Sequence, residues 1–346
     1  MMIFAGNPLF DSRWEDLVAR HPRASVFHER GWLEALNRTY EYEPVFLTTT
    51  PPGEPLHEGI VLCRVSSWVT GTRLVSMPFA DHCEPLLDDI GDIGPYLEWL
   101  RVECARQRWK YAELRPVSVL SESCDNPQPA CSYSLHELDI TPTLGQIFDG
   151  LHKDSVQRRI RRAERTGLSC DSGRSETLVE EFYRLLLKTR RRHRLLPQPR
   201  KWFRNLIERM GAASNIRVAR KNGTAVAALL TLRHGSVVTY KYGCSDARFH
   251  HLGAMPFLFW RLIEDSKADG AEKIDFGRSD LNQPSLTLFK DRFGSRKKLI
   301  TYYRYSNEEQ QRPFLPAEQS VLRQLFSVLP DAVSSAAGRV VYKHIG

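Results

Sequence analysis

The chain has 346 residues and lacks any long apolar run. Its longest, Ala225 to Leu230 (AVAALL), falls far short of the roughly 20 residues that cross a bilayer. The opening stretch, MMIFAGNPLFDSRW, has neither a basic region nor an apolar core, so no signal peptide is expected. Cysteine is scarce and scattered. Seven occur, at 63, 83, 104, 124, 131, 170 and 244, with no CxxC and no Cys/His zinc spacing. No metal site is therefore expected, and the odd, scattered set fits reduced thiols in a cytoplasmic protein. His82-Cys83-Glu84 is the one local grouping that suggests a reactive thiol, and two adjacent residues are a weak signal. Low-complexity tracts and short repeats are absent, which excludes solenoids and fibres. No RNP, KH, helix-turn-helix or zinc-finger pattern is found, so a dedicated sequence-specific nucleic-acid reader is not expected.

What remains is an ordinary globular composition: 42% hydrophobic, 10% aromatic and 26% charged. The length suits two domains or one large α/β unit. The net charge of +8 is uneven. Leu151 to Met210 holds 17 Lys and Arg against 7 Asp and Glu, so the rest of the chain is slightly acidic. Such a block suits phosphates, whether of a nucleotide, an RNA or an anionic lipid surface; a solvated helix face is the commoner meaning of a charge run.

The periodicity predicts, in order, helices around Trp14–Val18 and Trp32–Leu36, then strands over 44–49, 59–66 and 73–79. A helix from Pro95, a strand over 111–114, a loop over 121–130 and a strand over 134–140 follow. One long helix is expected from Leu144 through Ala163 to Gly167. Next come a strand over 168–171, a helix ending in the basic loop LKTRRRHRLLP, and a helix around Trp202–Met210. Asn222-Gly223 predicts a type I′ hairpin turn. A third antiparallel strand (SVVTYKYGCS) leads to a helix with Pro256 in its first turn. The stretch Lys273–Tyr303 reads as a strand ending at Gly277, a polar loop, a short helix carrying Lys290 and closed by Gly294, and a β-rich run. VLRQLFSVLP and DAVSSAAGRVVYKHIG read as two terminal amphipathic helices that pack on the core or lie on a membrane.

Several segments together resemble the FemAB branch of the GNAT acyltransferase superfamily, including its BioF2-like (CelD-type) relatives. They are HKDSVQRRIRRAERTGL, the KTRRRH loop, VVTYKYGCSD and KIDFGRSDLN…LFKDRFGSRKKLITYY, with LVSMPFADHCEPLLDD and YAELRP upstream. The resemblance implies an α/β (α+β) fold of two tandem GNAT-like domains with mixed, mostly antiparallel sheets flanked by helices. Their bounds would be 1–140 on the acceptor side and 141–310 for the BioF2-like acetyltransferase domain, with a helical tail over 311–346.

The implied activity is acyl or aminoacyl transfer that forms an amide on an amine of a cell-envelope or exopolysaccharide-related substrate. No cofactor would be tightly bound. The co-substrate would be acetyl-CoA, another acyl-CoA or aminoacyl-tRNA, and the acceptor a small molecule or a glycan or peptide precursor. The protein would be cytoplasmic, with a tRNA partner or peripheral contact with the inner membrane as open alternatives. By the same resemblance Lys290 falls near the transferred acyl group, where a cation stabilises a developing oxyanion. Asp275 is the companion catalytic candidate, as a base or as a turn-capping residue. Arg190 and Arg192 would hold acceptor phosphates. Tyr240, Tyr242, Arg278, Ser279 and His82 are the remaining substrate-binding candidates. His250-His251-Leu252-Gly253-Ala254-Met255 matches the pyrophosphate cradle of CoA-using relatives, with Gly253 and Ala254 as its cofactor-binding residues. His250 and Met255 depart from the cradle pattern. The competing reading is a non-catalytic binding protein on the same scaffold, holding a phosphate-bearing ligand, RNA or a membrane surface.

Overall fold

Two units make up the computed structural model, which describes residues 2–120, 127–306 and 331–345. The first comprises the described parts of Met1–Tyr133, Leu299–Leu315 and Val340–Gly346, the second those of Ser134–Lys298 and Pro316–Arg339.

In the first unit β1 (Phe4–Gly6) precedes α1 (Ser12–Arg20), whose N-cap Asp11 accepts a bond from the Arg13 amide. Trp14, Leu17 and Val18 form its buried face, and His21-Pro22 ends it. After α2 (Arg30–Tyr40), β2 (Glu43–Thr48), β3 (Ile60–Val65) and β4 (Arg73–Val75) pair antiparallel in sequence. Helix α3 (Gly94–Arg106), with Pro95 in its first turn, leads to β5 (Tyr111–Leu114), which pairs parallel to β4. Leu62, Leu74, Leu97, Leu100 and Ala112 belong to one core. Part of the expected 121–130 loop lies outside the described residues; Gln128–Ala130 instead begin β6 (Gln128–Asp139).

The second unit departs first at the expected long helix. It is interrupted: α4 (Leu144–Gly150) stops, Leu151 is extended, a π-type turn spans Lys153–Gln157, and α5 (Arg158–Arg165) follows. Gln157 explains the break. Its side-chain amide donates to the carbonyls of Phe148 (2.9 Å) and Leu151 (2.8 Å), supplying partners that a continuing helix would have provided. Then come β7 (Ser169–Gly173), α6 (Glu176–Arg192) and α7 (Arg200–Met210). Next are β8 (Ser214–Lys221), β9 (Thr224–His234) and β10 (Val237–Ser245). Asn222 and Gly223 both have positive φ, 48° and 75°, as a type I′ turn requires. Helix α8 (Ala254–Ala268), β11 (Lys273–Asp280), α9 (Pro284–Asp291) and β12 (Arg296–Ser306) complete the series. The strand order in this unit is β6-β11-β10-β9-β8-β7. Neighbours from β10 to β7 are antiparallel, and β10 and β11 run parallel.

Of the two expected tail helices, VLRQLFSVLP lies outside the described residues. The other is α10 (Asp331–Ile345). Its last turn packs on the first unit: the Tyr42 hydroxyl donates to the Tyr342 carbonyl (2.5 Å), and Thr70 and Arg73 donate to that of His344. No helix among the described residues is long and apolar enough to cross a membrane.

Candidate functional site

Strand β11 does not end at Gly277, as expected from the glycine, but runs on to Asp280. Gly277 takes φ +68°, a left-handed conformation that suits glycine. Two side chains hold the strand at this bend. Asp275, buried, accepts a bond from the Gly277 amide (2.7 Å). Lys290 donates from Nζ to the carbonyls of Gly277 (2.8 Å) and Arg278 (3.0 Å). Lys290 is only 2% exposed, so it is not a solvated helix lysine. The anchor is built by α9, whose single turn-and-a-half beyond Pro284 carries Lys290 back over β11. Ser279 is buried next along the strand, and its hydroxyl has no hydrogen-bond partner among the described residues. The Arg278 side chain is half-buried. The Asp275 and Lys290 side chains thus converge on the backbone at Gly277–Arg278, with Ser279 buried next along the strand.

A residue missed by the sequence reading joins them. His136, on β6, is fully buried, and its Nε2 lies 3.1 Å from Asp291 Oδ1. Burial, and then the positive charge of Lys290, push its pKa below the ordinary imidazole value; Asp291 opposes this. The available signal was its place in SLHELDI, where alternation puts it on the same strand face as Leu138.

Beside this end, the ladder between β10 and β11 covers only Val237↔Lys273, Val238↔Ile274 and Thr239↔Asp275. The register of β10 on β9 then shifts between Tyr240 and Tyr242. That bulge separates two tyrosines expected to face one cleft. The Tyr240 ring meets Phe259 of α8 edge-on at 4.8 Å. Tyr242 turns to α7: it is buried, its hydroxyl accepts a bond from Trp202 Nε1 (3.0 Å), and its ring meets Phe203. Gly243 leaves room for the Tyr240 hydroxyl, which a Cβ there would displace.

Arg190 and Arg192 lie on the last turn of α6, not in a loop. Tertiary bonds extend the helix this far: Thr189 exchanges hydrogen bonds with the backbone of Ser245, and Arg192 Nη1 donates to the Ser245 carbonyl (3.2 Å). Arg192 also lies 3.4 Å from His250 Nε2, which is 2.9 Å from the Ser245 hydroxyl. Burial and the Arg192 charge push the His250 pKa down. Asp246, held well below the usual carboxylate range by Arg248 with help from Lys188, is the nearby acid.

Gly253 (φ +77°) and Ala254 begin α8 but are both buried. A Cβ on Gly253 would stand 2.6 Å from the Arg159 carbonyl of α5. The glycine thus serves a close approach between α5 and the start of α8. Pro256 leaves the first turn of α8 one amide donor fewer.

His82 belongs to the first unit, where its ring meets Phe27 edge-on at 5.4 Å. Its neighbours are structural. The Cys83 thiol lies 3.4 Å from His28, and burial pushes its pKa up to about 12. Glu84 accepts bonds from the amides of Val117 and Ser118. In the weakly signalled His82-Cys83-Glu84 grouping, Cys83 and Glu84 are buried and His82 is half-buried, and burial disfavours the Cys83 thiolate. Among the described residues, no group of three or more His, Cys, Asp or Glu is placed to hold a metal ion.

Residues 152–284 match the family model for the acetyltransferase (GNAT) domain. Comparison with curated proteins gives no significant match. Among solved structures, FemX aligns over 93% of this chain and 100% of its own, with a TM-score of 0.68 and 12% identity. A C-terminal domain provisionally assigned to a lysylphosphatidylglycerol synthetase from Agrobacterium fabrum aligns over 86% of this chain and 92% of its own, with a TM-score of 0.56 and 16% identity. A tandem GNAT protein from the clavulanic acid biosynthesis pathway aligns over 88% and 98%, with a TM-score of 0.53 and 8% identity. At these identities the likeness is one of fold. Residues 152–284 thus match a GNAT-type acetyltransferase domain, and the chain as a whole shares its fold with FemX and a tandem GNAT protein.

Proposed function

We propose that this chain is an N-acyltransferase that joins an acyl or aminoacyl group to an amine. The observation that carries the reading is the short β10/β11 ladder inside the GNAT-type domain. Beyond Thr239 and Asp275 the strands continue without pairing to one another. A β10 edge open on that side offers backbone donors and acceptors to an extended, amide-bearing substrate, as a strand edge does in β-augmentation.

In the reaction, the amine nitrogen attacks the donor carbonyl, the donor's ester or thioester bond breaks, and the amine proton leaves to water or the departing group. Lys290 would stabilise the developing oxyanion electrostatically. Asp275 would act through the bend it holds at Gly277. Tyr240, Arg278 and Ser279 would orient the substrate near the strand end, and Arg190 and Arg192 would take up anionic groups. For Tyr242 the proposed role is indirect, since its hydroxyl is bonded to Trp202. His82 remains the proposed acceptor-side residue of the first unit.

His250 and Met255 in place of the cradle's usual residues, and Pro256 in the first turn of α8, weigh against a CoA pyrophosphate at Gly253 and Ala254, and so towards an aminoacyl donor carried on tRNA. The name of one neighbour joins lysyl to phosphatidylglycerol, which supports an aminoacyl donor and an envelope acceptor. A cytoplasmic enzyme working at the inner face of the membrane suits that acceptor. The same departures from the cradle pattern favour the second reading, a binding protein without transfer. Incubation with acetyl-CoA, longer acyl-CoAs or aminoacyl-tRNA and a panel of amines, followed by mass spectrometry, separates the two. Amide products that appear only with donor and enzyme support transfer; donor binding with no product on any amine supports the second reading.

A further inference from the structure

We infer that His136 is a positioning residue for Lys290, fixed as the neutral Nε2–H tautomer by Asp291, and that the Lys290 anchor on β11 holds only while His136 is uncharged. The consequence for acyl transfer rests on the function proposed above; the effect on the anchor does not.

The geometry begins with Asp291. Its carboxylate can only accept, so the 3.1 Å contact puts the imidazole proton on Nε2. Nδ1 is then a lone-pair acceptor. It is buried and has no hydrogen-bond partner among the described residues. The charged groups acting on the ring are Lys290 and Asp291 of α9 and Lys297 of β12. Asp291 touches the ring but is 40% exposed, and Lys297 is exposed, so both are screened, whereas Lys290 is buried.

Protonating His136 would add a positive charge at a fully buried position bonded to Asp291, the residue that follows the buried Lys290. It would also create an N–H on Nδ1 with no described acceptor. In a low-dielectric surrounding such a pair of cations repels strongly. Lys290 can retreat only by leaving the Gly277 and Arg278 carbonyls. Those bonds are one of the two holds on the left-handed bend at Gly277, the other being Asp275, so the bend would loosen as the anchor is lost. His136 touches no reacting atom in this scheme; it acts through Lys290.

Two measurements on the full chain test this without any transfer assay. In ring-¹⁵N-histidine NMR, with His136 assigned by its absence in His136→Asn, we expect the Nε2–H tautomer and a midpoint below the ordinary value of 6.5. The Gly277 backbone amide should shift with the same midpoint in the wild type and lose that transition in His136→Asn. Asp291→Asn should lower the midpoint further, because it removes the charge that favours the imidazolium. An Nδ1–H tautomer, a charged ring at pH 7, or a Gly277 amide indifferent to the His136 titration would overturn the inference. If His136→Asn does not fold, His136→Gln supplies the comparison. Where transfer is detected, kcat should fall about tenfold per pH unit below the His136 midpoint. A kcat that ignores this midpoint while the NMR coupling holds would count against the proposed role of Lys290 and leave the His136 anchor standing.

Discussion

Replacing Lys290 by methionine separates what this side chain does for the fold from what it does for the reaction. Methionine keeps most of the buried stem and removes the ammonium. The carbonyls of Gly277 and Arg278, 2.8 and 3.0 Å from Nζ, then lose a donor. A buried acceptor left without a partner costs about 1–3 kcal/mol, and the Arg278 bond is only partly buried, so the gross loss is about 2–4 kcal/mol. Relief from burying an ammonium offsets part of this, leaving a net loss of about 1–3 kcal/mol. For a unit of this size that lowers Tm by roughly 3–10 °C. If Lys290 also stabilises the oxyanion, transfer at a temperature where the variant is folded should fall by about 10²–10³. Denaturation curves and initial rates on the same preparation decide. An unchanged Tm refutes the anchor. A rate that falls only in step with the folded fraction refutes the electrostatic role.

Other consequences follow from close contacts and buried charge. Gly253→Ala places a Cβ 2.6 Å from the Arg159 carbonyl in a left-handed conformation, and should cost about 2–4 kcal/mol in chemical denaturation. Gly243→Ala should drive the Tyr240 hydroxyl out of its place, seen as altered tyrosine fluorescence or near-UV dichroism with little change in helix content. Glu113 is almost fully buried. Burial alone would raise its pKa, but Arg115 and Arg304 outweigh that and hold it below 4.5, the ordinary value. Its folded form thus binds fewer protons than the unfolded chain, so its stabilisation is present above about 4.5 and is lost as pH falls through the lowered value. Glu113→Gln should be about 3 kcal/mol less stable at pH 7 and should lose less stability on acidification than the wild type.

Local signals were legible in the sequence wherever one residue type decides the backbone. Asn222-Gly223 defined the hairpin, Pro95 and Pro256 marked helix starts, and Gly294 (φ +75°) followed α9. The element order of the second unit followed from these and from periodicity. What escaped depends on side chains reaching across the chain. Gln157 breaks a helix whose apolar spacing reads as continuous, by taking carbonyls of the preceding segment. Thr189 and Arg192 extend α6 through a stretch that composition reads as loop, by bonding to Ser245. A bulge sends Tyr240 and Tyr242 to different helices, although alternation would keep them together. The sequence could bring Lys290 and Asp275 near one strand end, but not the two carbonyls that bury the lysine. His136 was passed over because a single histidine in a short strand carries no spacing to its partner, Asp291, which lies on α9.

The central claim is transfer to an amine at the β10/β11 site, and product mass measures it directly. Purified protein is supplied with one donor at a time, acyl-CoA or aminoacyl-tRNA, and an amine acceptor. The account predicts an amide product whose mass carries the donor's acyl group, formed catalytically by the wild type and at a much lower rate by folded Lys290→Met. Saturable binding of a donor, with no product on any amine and the same behaviour in the variant, would contradict it.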